Sequence, residues 1–403
     1  MSIYKKIIIL CVLLHVLGSV LYIFKTGDTL KYWDEKDYYT ISSNVLEKGH
    51  FSRYGIVNNA CRPPGYPFFL IAVMAVSDNF IFIKLVQLLL YYLSAYLIYK
   101  IACFIRKDQK ISLLASGLFL IYPSILYTVN TLYPQILYMC LFLLLIYLLF
   151  LYSKNIFTYS VMGIINGFMI LVIPLHILFL PIIILLIWRK KYKKNLLKSF
   201  IFILLTFMVL LPWTWRNYKI FHEFVFISTN GGKNILFGNC PLTKPNLGTT
   251  DISEIVEEEV IEKLNMAEID RYYRGKAWDF IQQDPLHYLE LYFKKFINYF
   301  NFRNNLATDS IEAKLKFVLI AVTFYPILFL SILGLFFKEI RKYSINIYFI
   351  TLFMLSGFFY SVFITRIRFR LPFVPFLIII AAQIIFFLYD RLKKNYVFFS
   401  ANK

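Results

Sequence analysis

Asp34 and Glu35 stand side by side in Tyr32-Trp33-Asp34-Glu35-Lys36-Asp37-Tyr38-Tyr39, and Arg62-Pro63-Pro64-Gly65-Tyr66-Pro67 follows about two dozen residues later. Carboxylates held beside aromatic and proline-stiffened chain are equipped for proton abstraction, with Asp34 as general base and Glu35 supporting it. Two acids kept in one pocket would raise one pKa and so strengthen that base. The second chemistry is anion binding. Arg366, Arg368 and Arg370 alternate with Ile367 and Phe369, and guanidinium groups bind phosphate in a bidentate way while staying charged at an interface. In extended backbone all three would point to one side, whereas in a helix they would fan out. Pro372 disfavours helix at Leu371 and so favours the extended form. Arg62 is a further candidate for anion binding, and Tyr66, after the same proline-stiffened turn, is a candidate for ligand contact.

These polar stretches are separated by apolar ones. Hydrophobic residues make up 59% of the 403 and charged residues 16%, against about 25% charged in soluble domains, and the mean hydropathy is +0.64. Apolar runs of about 20 residues imply spanning helices, since a barrel would show short alternating segments. The net charge of +20 does not point to nucleic acid. Its cations cluster next to apolar runs, where they set topology and meet lipid headgroups. Cys11, Cys103 and Cys140 fall inside apolar runs, and a disulfide between the loop residues Cys61 and Cys240 is open but not favoured. His15 and His176 are in apolar runs and His50, His222 and His287 are scattered. No metal triad emerges, and no cofactor is expected.

About ten spans follow from the hydropathy pattern: 6–24, 81–105, 112–127, 134–152, 157–173, 175–188, 200–211, 316–337, 345–363 and 371–389. The first reads as a retained signal anchor, because no small-residue cleavage site follows it. Residues 67–76 read as a short apolar helix resting on the surface. Basic marks at Lys5-Lys6, Arg106 to Lys110, Lys154, Arg189 to Lys198, Lys338 to Lys342 and Arg391 to Lys394 place both termini in the cytoplasm. The loop 26–67 and the segment 214–313 are then external. The chain divides into an N-terminal transmembrane module (1–213), an external region (214–313) and C-terminal helices (314–403). Within the external region, 271–297 is amphipathic and broken near Pro285, and its aromatic face at Trp278, Tyr288 and Phe296 is expected to pack over the first loop. Asn234 and Asn239, in a Gly-rich turn, could hydrogen-bond sugar hydroxyls, although Gly and Asn also suit any turn that needs positive φ.

The landmarks Trp33-Asp34-Glu35-xx-Tyr38, Arg62-Pro63-Pro64-Gly65-Tyr66-Pro67, Pro212-Trp213-Thr214-Trp215-Arg216-Asn217, Ser228-Thr229-Asn230-Gly231-Gly232-xx-Ile235-xx-Gly238-Asn239 and Arg368-Phe369-Arg370-Leu371-Pro372 occur in the family order. Together they resemble the bacterial branch of the multi-spanning, lipid-carrier-dependent glycosyltransferases, the GT-C superfamily that includes aminoarabinose transferases acting on lipid A and protein O-mannosyltransferases. The resemblance implies an all-α polytopic membrane protein with juxtamembrane helices in its first external loop, over a cavity open to lipid and to the non-cytoplasmic space. It implies a polyprenyl-phosphate-linked sugar donor, an envelope acceptor (lipid A, another glycolipid, a polymer or a protein), and the family's acid at Asp34. The chain departs from the pattern in the small second loop, where many members carry an acid and this one has Leu132-Tyr133-Pro134-Gln135. Gln135 can donate and accept hydrogen bonds but takes no proton at neutral pH. Tyr133 and Gln135 are therefore candidates for substrate contact. The alternative from another class is a flippase or polysaccharide transporter. It would need polar residues running through the spans, and the spans here are largely apolar.

Overall fold

The computed structural model describes residues 3–55, 59–151, 155–188, 196–303 and 311–401. The basic marks at Lys154 and at Arg189 to Lys194 lie outside them. No strand occurs among the described residues. Ten helices make up the first half: α1 (Ile3–Thr26), α2 (Trp33–Lys48), α3 (Gly65–Met74), α4 (Phe80–Arg106), α5 (Gln109–Leu120), α6 (Pro123–Val129), α7 (Gln135–Leu151), α8 (Ile156–Val172), α9 (Leu180–Trp188) and α10 (Leu196–Phe221). Then come α11 (Gly231–Gly238), α12 (Glu258–Ile261), α13 (Met266–Gln283), α14 (Pro285–Tyr299), α15 (Ile311–Gly334), α16 (Lys338–Arg341), α17 (Ser344–Ser361), α18 (Ile367–Arg370) and α19 (Val374–Ala401). Polar caps set several starts: Asn79, Asp108 and Asn155 accept from the first-turn amides of α4, α5 and α8, and so supply partners that lipid cannot.

Among the described residues five helices are long and apolar enough to cross a membrane, or six if α5 and α6, bent by 59° at their junction, form one span. Of the other four expected spans, 6–24 falls on the 24-residue α1, and 134–152, 157–173 and 175–188 appear as shorter apolar helices. The protein is a polytopic membrane protein. Residues 371–384 form its central helix, apolar on all sides and almost wholly buried, as a helix enclosed by others must be. Helices α8 and α10 lie close along their length because Gly163 and Gly167 recur four residues apart. A Cβ at either would stand 2.6 Å from a carbonyl oxygen of α10, that of Phe202 or of Thr206. Small residues at this spacing let backbones approach where lipid provides no hydrophobic drive.

Three expectations change. α3 does not rest on the surface; Tyr66, Pro67 and Leu70 are buried, and α3 packs on α2, α4 and α8. α10 does not end at Leu211 but continues through Pro212 to Phe221. The buried Trp213 indole donates to Ile227 O, and the Asn217 amide donates to Val225 O and Ile227 O. These bonds tie the continued helix to the chain that follows and offset the proline. Finally, α14 turns its aromatic face to α17 and not to the first loop: Phe296 stacks on Phe358 at 4.3 Å, while Trp278 is exposed. The cover over the first loop comes from α11 and α13.

The glycines of α11 serve close approach, not positive φ. A Cβ on Gly232 would lie 1.9 Å from Asp270 O, and one on Gly238 would lie 1.8 Å from Phe363 O. Gly238→Ala should therefore push α11 off the segment leading to Arg366 and lower the melting temperature in detergent by several degrees. Gly275→Ala, with open space at its Cβ in the interior of α13, should stabilise by about 0.5–1 kcal/mol. Equal melting temperatures for the two variants would contradict this packing.

Candidate active site

One cavity of about 600 Å³ gathers the first loop, the second loop, the break after α8, the α11 region, α13 and the segment before α19. Asp34, in the first turn of α2, stands in its wall between two guanidinium groups. Arg62 Nη2 donates to Oδ1 at 2.5 Å and Arg368 Nη2 donates to Oδ2 at 2.7 Å. Burial pushes the Asp34 pKa up, but Arg368 and then Arg62 outweigh it and hold the carboxyl well below the ordinary range. The expected base strengthened by a second acid is thus not what folds. Both oxygens of Asp34 are paired with cations, and Glu35 points elsewhere.

Asp37 was not singled out in the sequence, although its i, i+3 spacing from Asp34 puts both on one helix face. Nearly buried, it accepts from Arg62 Nε and Nη2 at 3.1 and 2.7 Å and from Arg53 Nη1 at 2.8 Å. Burial opposes the charge on Arg62, but Tyr38, Asp34 and Asp37 raise its pKa overall. Arg368 lies 4.4 Å over the Tyr133 ring, a cation–π contact. Burial pushes the Tyr133 hydroxyl up to about 12 although Arg368 pulls it down. Gln135 also lines the cavity, and its Oε1 is buried without a hydrogen-bond partner. Asn234 lines the cavity on α11. Arg366 donates through Nε and Nη2 to Gly248 O, and burial lowers its pKa to about 10.

Four sequence candidates have other surroundings. Glu35 is buried; its Oε2 accepts from the Lys31 and Tyr32 amides and its Oε1 from Leu132 N at 2.9 Å. It caps α2 and clamps the second loop to the first, and it does not line the cavity. Tyr66 is fully buried and donates to Gln87 Oε1. Asn239 donates to Ile235 O and Val362 O and accepts from Lys295 Nζ. Arg370 is fully buried, donating from Nη1 to Tyr299 O and Asn301 O at the end of α14 and lying 3.7 Å from the centre of the Phe324 ring. Finally, the three arginines do not share a side. Ile367–Arg370 is a helical turn running into α19, so they fan out, to Gly248, to Asp34 and to α14. Leu371 is helical at φ −55°, ψ −39° despite Pro372, because a proline in a helix's first turn lacks only a donor that would be unpaired anyway.

Lys295 is buried with no acid beside it. Its ammonium donates to Gly238 O, Asn239 Oδ1 and Phe363 O, three acceptors for three donors. Burial pushes its pKa down to about 7. From there up to the ordinary 10.5, the unfolded chain binds a proton that the folded one releases. Stability should therefore climb with pH across that window, and Lys295→Met should remove that rise in a pH series of melting curves. Glu35→Gln cannot accept from all three amides and should cost about 1–3 kcal/mol of stability, read by denaturant titration.

Among the described residues no three His, Cys, Asp or Glu side chains come together. Asp34, Asp37 and Glu35 already engage guanidinium and amide donors, a donor set that does not fit a divalent cation. A family model for dolichyl-phosphate-mannose-protein mannosyltransferase matches residues 61–215. No curated protein sequence matches the chain. Among solved structures, ArnT from Cupriavidus metallidurans bound to undecaprenyl phosphate is similar with a TM-score of 0.52 at 12% identity, over 93% of this chain and 59% of that one. The apo oligosaccharyltransferase of Archaeoglobus fulgidus matches with a TM-score of 0.54 at 12% identity, over 96% of this chain and 52% of that one. The same organism's AglB, in complex with an inhibitory peptide and a dolichol-phosphate, gives 0.53 at 12%, over 99% and 52%. The chain therefore spans between half and three fifths of the length of these structures. These likenesses extend over nearly the whole of this chain, which therefore has the helical membrane fold of the ArnT and oligosaccharyltransferase structures.

Proposed function

We propose that this protein is an inverting glycosyltransferase that moves a sugar from a polyprenyl-phosphate donor to an acceptor hydroxyl on the side of the membrane away from the cytoplasm. The observation that carries the reading is the Asp34 carboxylate gripped by Arg62 and Arg368 in the wall of a cavity at the ends of the spanning helices. Phosphate is a weakly basic leaving group and needs cations more than a proton donor, whereas the acceptor hydroxyl needs a base. Both are within one side-chain length of each other here. The undecaprenyl phosphate and dolichol-phosphate named with the ArnT and AglB structures support a lipid phosphate as the donor's carrier. The basic marks next to the spans support the orientation.

In the ion pairs Asp34 is a weak base, since two guanidinium groups stabilise its charge. A donor phosphate in contact with Arg366 and Arg368 competes with Asp34 for Arg368 and so returns basicity to the carboxylate when donor is present. Asp34 then takes the acceptor's hydroxyl proton. The acceptor oxygen forms its bond to the anomeric carbon as the carbon–oxygen bond to phosphate breaks, and that electron pair leaves on the phosphate held by the arginines. Gln135, with an unpartnered amide oxygen, accepts from a sugar hydroxyl; Tyr133 packs against the arginine that the phosphate engages; Asn234 offers a hydrogen bond from the far wall. Glu35, Tyr66, Asn239 and Arg370 hold the frame. A flippase would need a polar path through the spans, and the polar groups buried there pair with one another: Gln87 with Val129 O and Thr131 O, Asn346 with Gln383.

In proteoliposomes with a radiolabelled polyprenyl-phosphate sugar, Asp34→Asn should lower transfer by at least about a hundredfold, the lower range for losing a general base, while donor still binds. Arg366→Gln and Arg368→Gln should weaken donor binding at least about tenfold, or about 1.4 kcal/mol. Arg370→Gln should instead lower the melting temperature and leave donor affinity intact in the folded fraction. Normal turnover by Asp34→Asn would refute the assignment of the base.

A further inference from the structure

We propose that the cavity holds a second anion subsite, formed by Lys233, Arg53 and the edge of Arg62 that faces Asp37, which takes a phosphate or carboxylate group carried by the acceptor. The word acceptor rests on the function proposed above; the subsite itself rests on the charges. Five cations line the cavity, Arg53, Arg62, Lys233, Arg366 and Arg368, and with Asp37 behind them they face two carboxylates, leaving an excess of three positive charges. One phosphodiester neutralises one of these, and a departing phosphate about two. Like charges in a partly desolvated cavity repel unless a ligand supplies the counter-charge.

The excess is divided. Arg368 is paired with Asp34 and Arg53 with Asp37, and Arg62 bridges the two carboxylates; Arg366 and Lys233 line the cavity beside them. Among the described residues no ion pair reaches Lys233, whose ammonium lies 5.4 Å from the centre of the Phe237 ring. The Nε of Arg53 is buried without a partner. The two clusters also face different surroundings. Arg366 and Arg368 adjoin the ends of α17 and α19, where a lipid-borne phosphate arrives. Lys233 is exposed on α11, where a group arriving from water meets it first. A hydroxyl positioned near Asp34 by an anion held at Lys233 would belong to a charged sugar.

The test uses the full chain in nanodiscs, a short-chain polyprenyl monophosphate as the lipid probe, and glucose 6-phosphate, glucuronate and glucose as soluble probes, followed by titration calorimetry and melting temperature. Glucose 6-phosphate or glucuronate should bind protein already saturated with polyprenyl phosphate, and glucose should not; which of the two binds tells phosphate from carboxylate. Lys233→Gln should weaken the soluble anion at least about tenfold and leave polyprenyl phosphate within about twofold, and Arg366→Gln should do the reverse. Lys233→Arg should restore the anion, and because Lys233 is exposed all these variants at that position should melt with the wild type. Mutually exclusive binding of the soluble and lipid anions, equal affinity in Lys233→Gln and wild type, or binding of glucose as tight as that of its charged relatives would overturn the proposal. Loss of polyprenyl phosphate binding alone, with the soluble anion still held through Lys233, would instead sink the donor reading and leave the second subsite in place.

Discussion

A carboxylate at residue 34 and a guanidinium at residue 368, at opposite ends of the chain, are 2.7 Å apart, and the arrangement of the other helices serves that approach. An ion pair withdrawn from water gains only if its geometry is good and its remaining hydrogen-bonding positions are filled. Here each partner has a second contact: Asp34 with Arg62, and Arg368 with the face of Tyr133. Arg62 in turn is shared with Asp37, so the acids and arginines form a chain of alternating charge and not an isolated pair. Such networks fix position where single surface pairs do not.

Two supports keep the ends in register. On the first-loop side, Glu35 gathers three backbone amides from two loops and so sets where Asp34 and Tyr133 stand. On the other side, Lys295 and Arg370 do the same with carbonyls. Lys295 joins α14 to Gly238 and Phe363, and Arg370 joins α18 to the end of α14, where a cation also meets the negative end of a helix. The close contacts at Gly232 and Gly238 leave no side-chain thickness between α11 and its neighbours. The frame around the cavity is therefore made of buried charges bonded to backbone, whereas the charges in the cavity wall are mostly bonded to each other, Arg366 on Gly248 O being the exception. The second kind is available to a ligand.

The arginines also bear on the departure at Gln135. Where the sequence resemblance leads one to expect an acid, this chain has an amide with an open acceptor, and the cationic character of the cavity wall comes from Arg62, Arg366 and Arg368. A guanidinium is always charged and forks to two oxygens, so a phosphate can be held and released with no change of protonation in the site.

The sequence by itself determined that this is a helical membrane protein and where most of its apolar helices run, and it singled out 26–67, 132–135, 228–239 and 366–372, stretches that the fold gathers round one cavity. Hydropathy, charge clusters and motif order are properties of single stretches and need no partner to be read. It singled out Asp34, Arg62, Arg366 and Arg368, all of which line that cavity, for the same reason: charges next to apolar chain are costly and so informative. Tertiary structure alone decided which neighbours were frame and which were site. Glu35 and Asp34 are adjacent in sequence, but successive helical positions point about a hundred degrees apart, so one faces the cavity and the other the amides of the second loop. Arg366, Arg368 and Arg370 divide in the same way because the turn is helical. Asp37, Arg53 and Lys233 are ordinary loop and helix charges in the sequence; only folding brings Arg53 and Arg62 onto the buried Asp37 carboxylate and Lys233 into the wall of the same cavity.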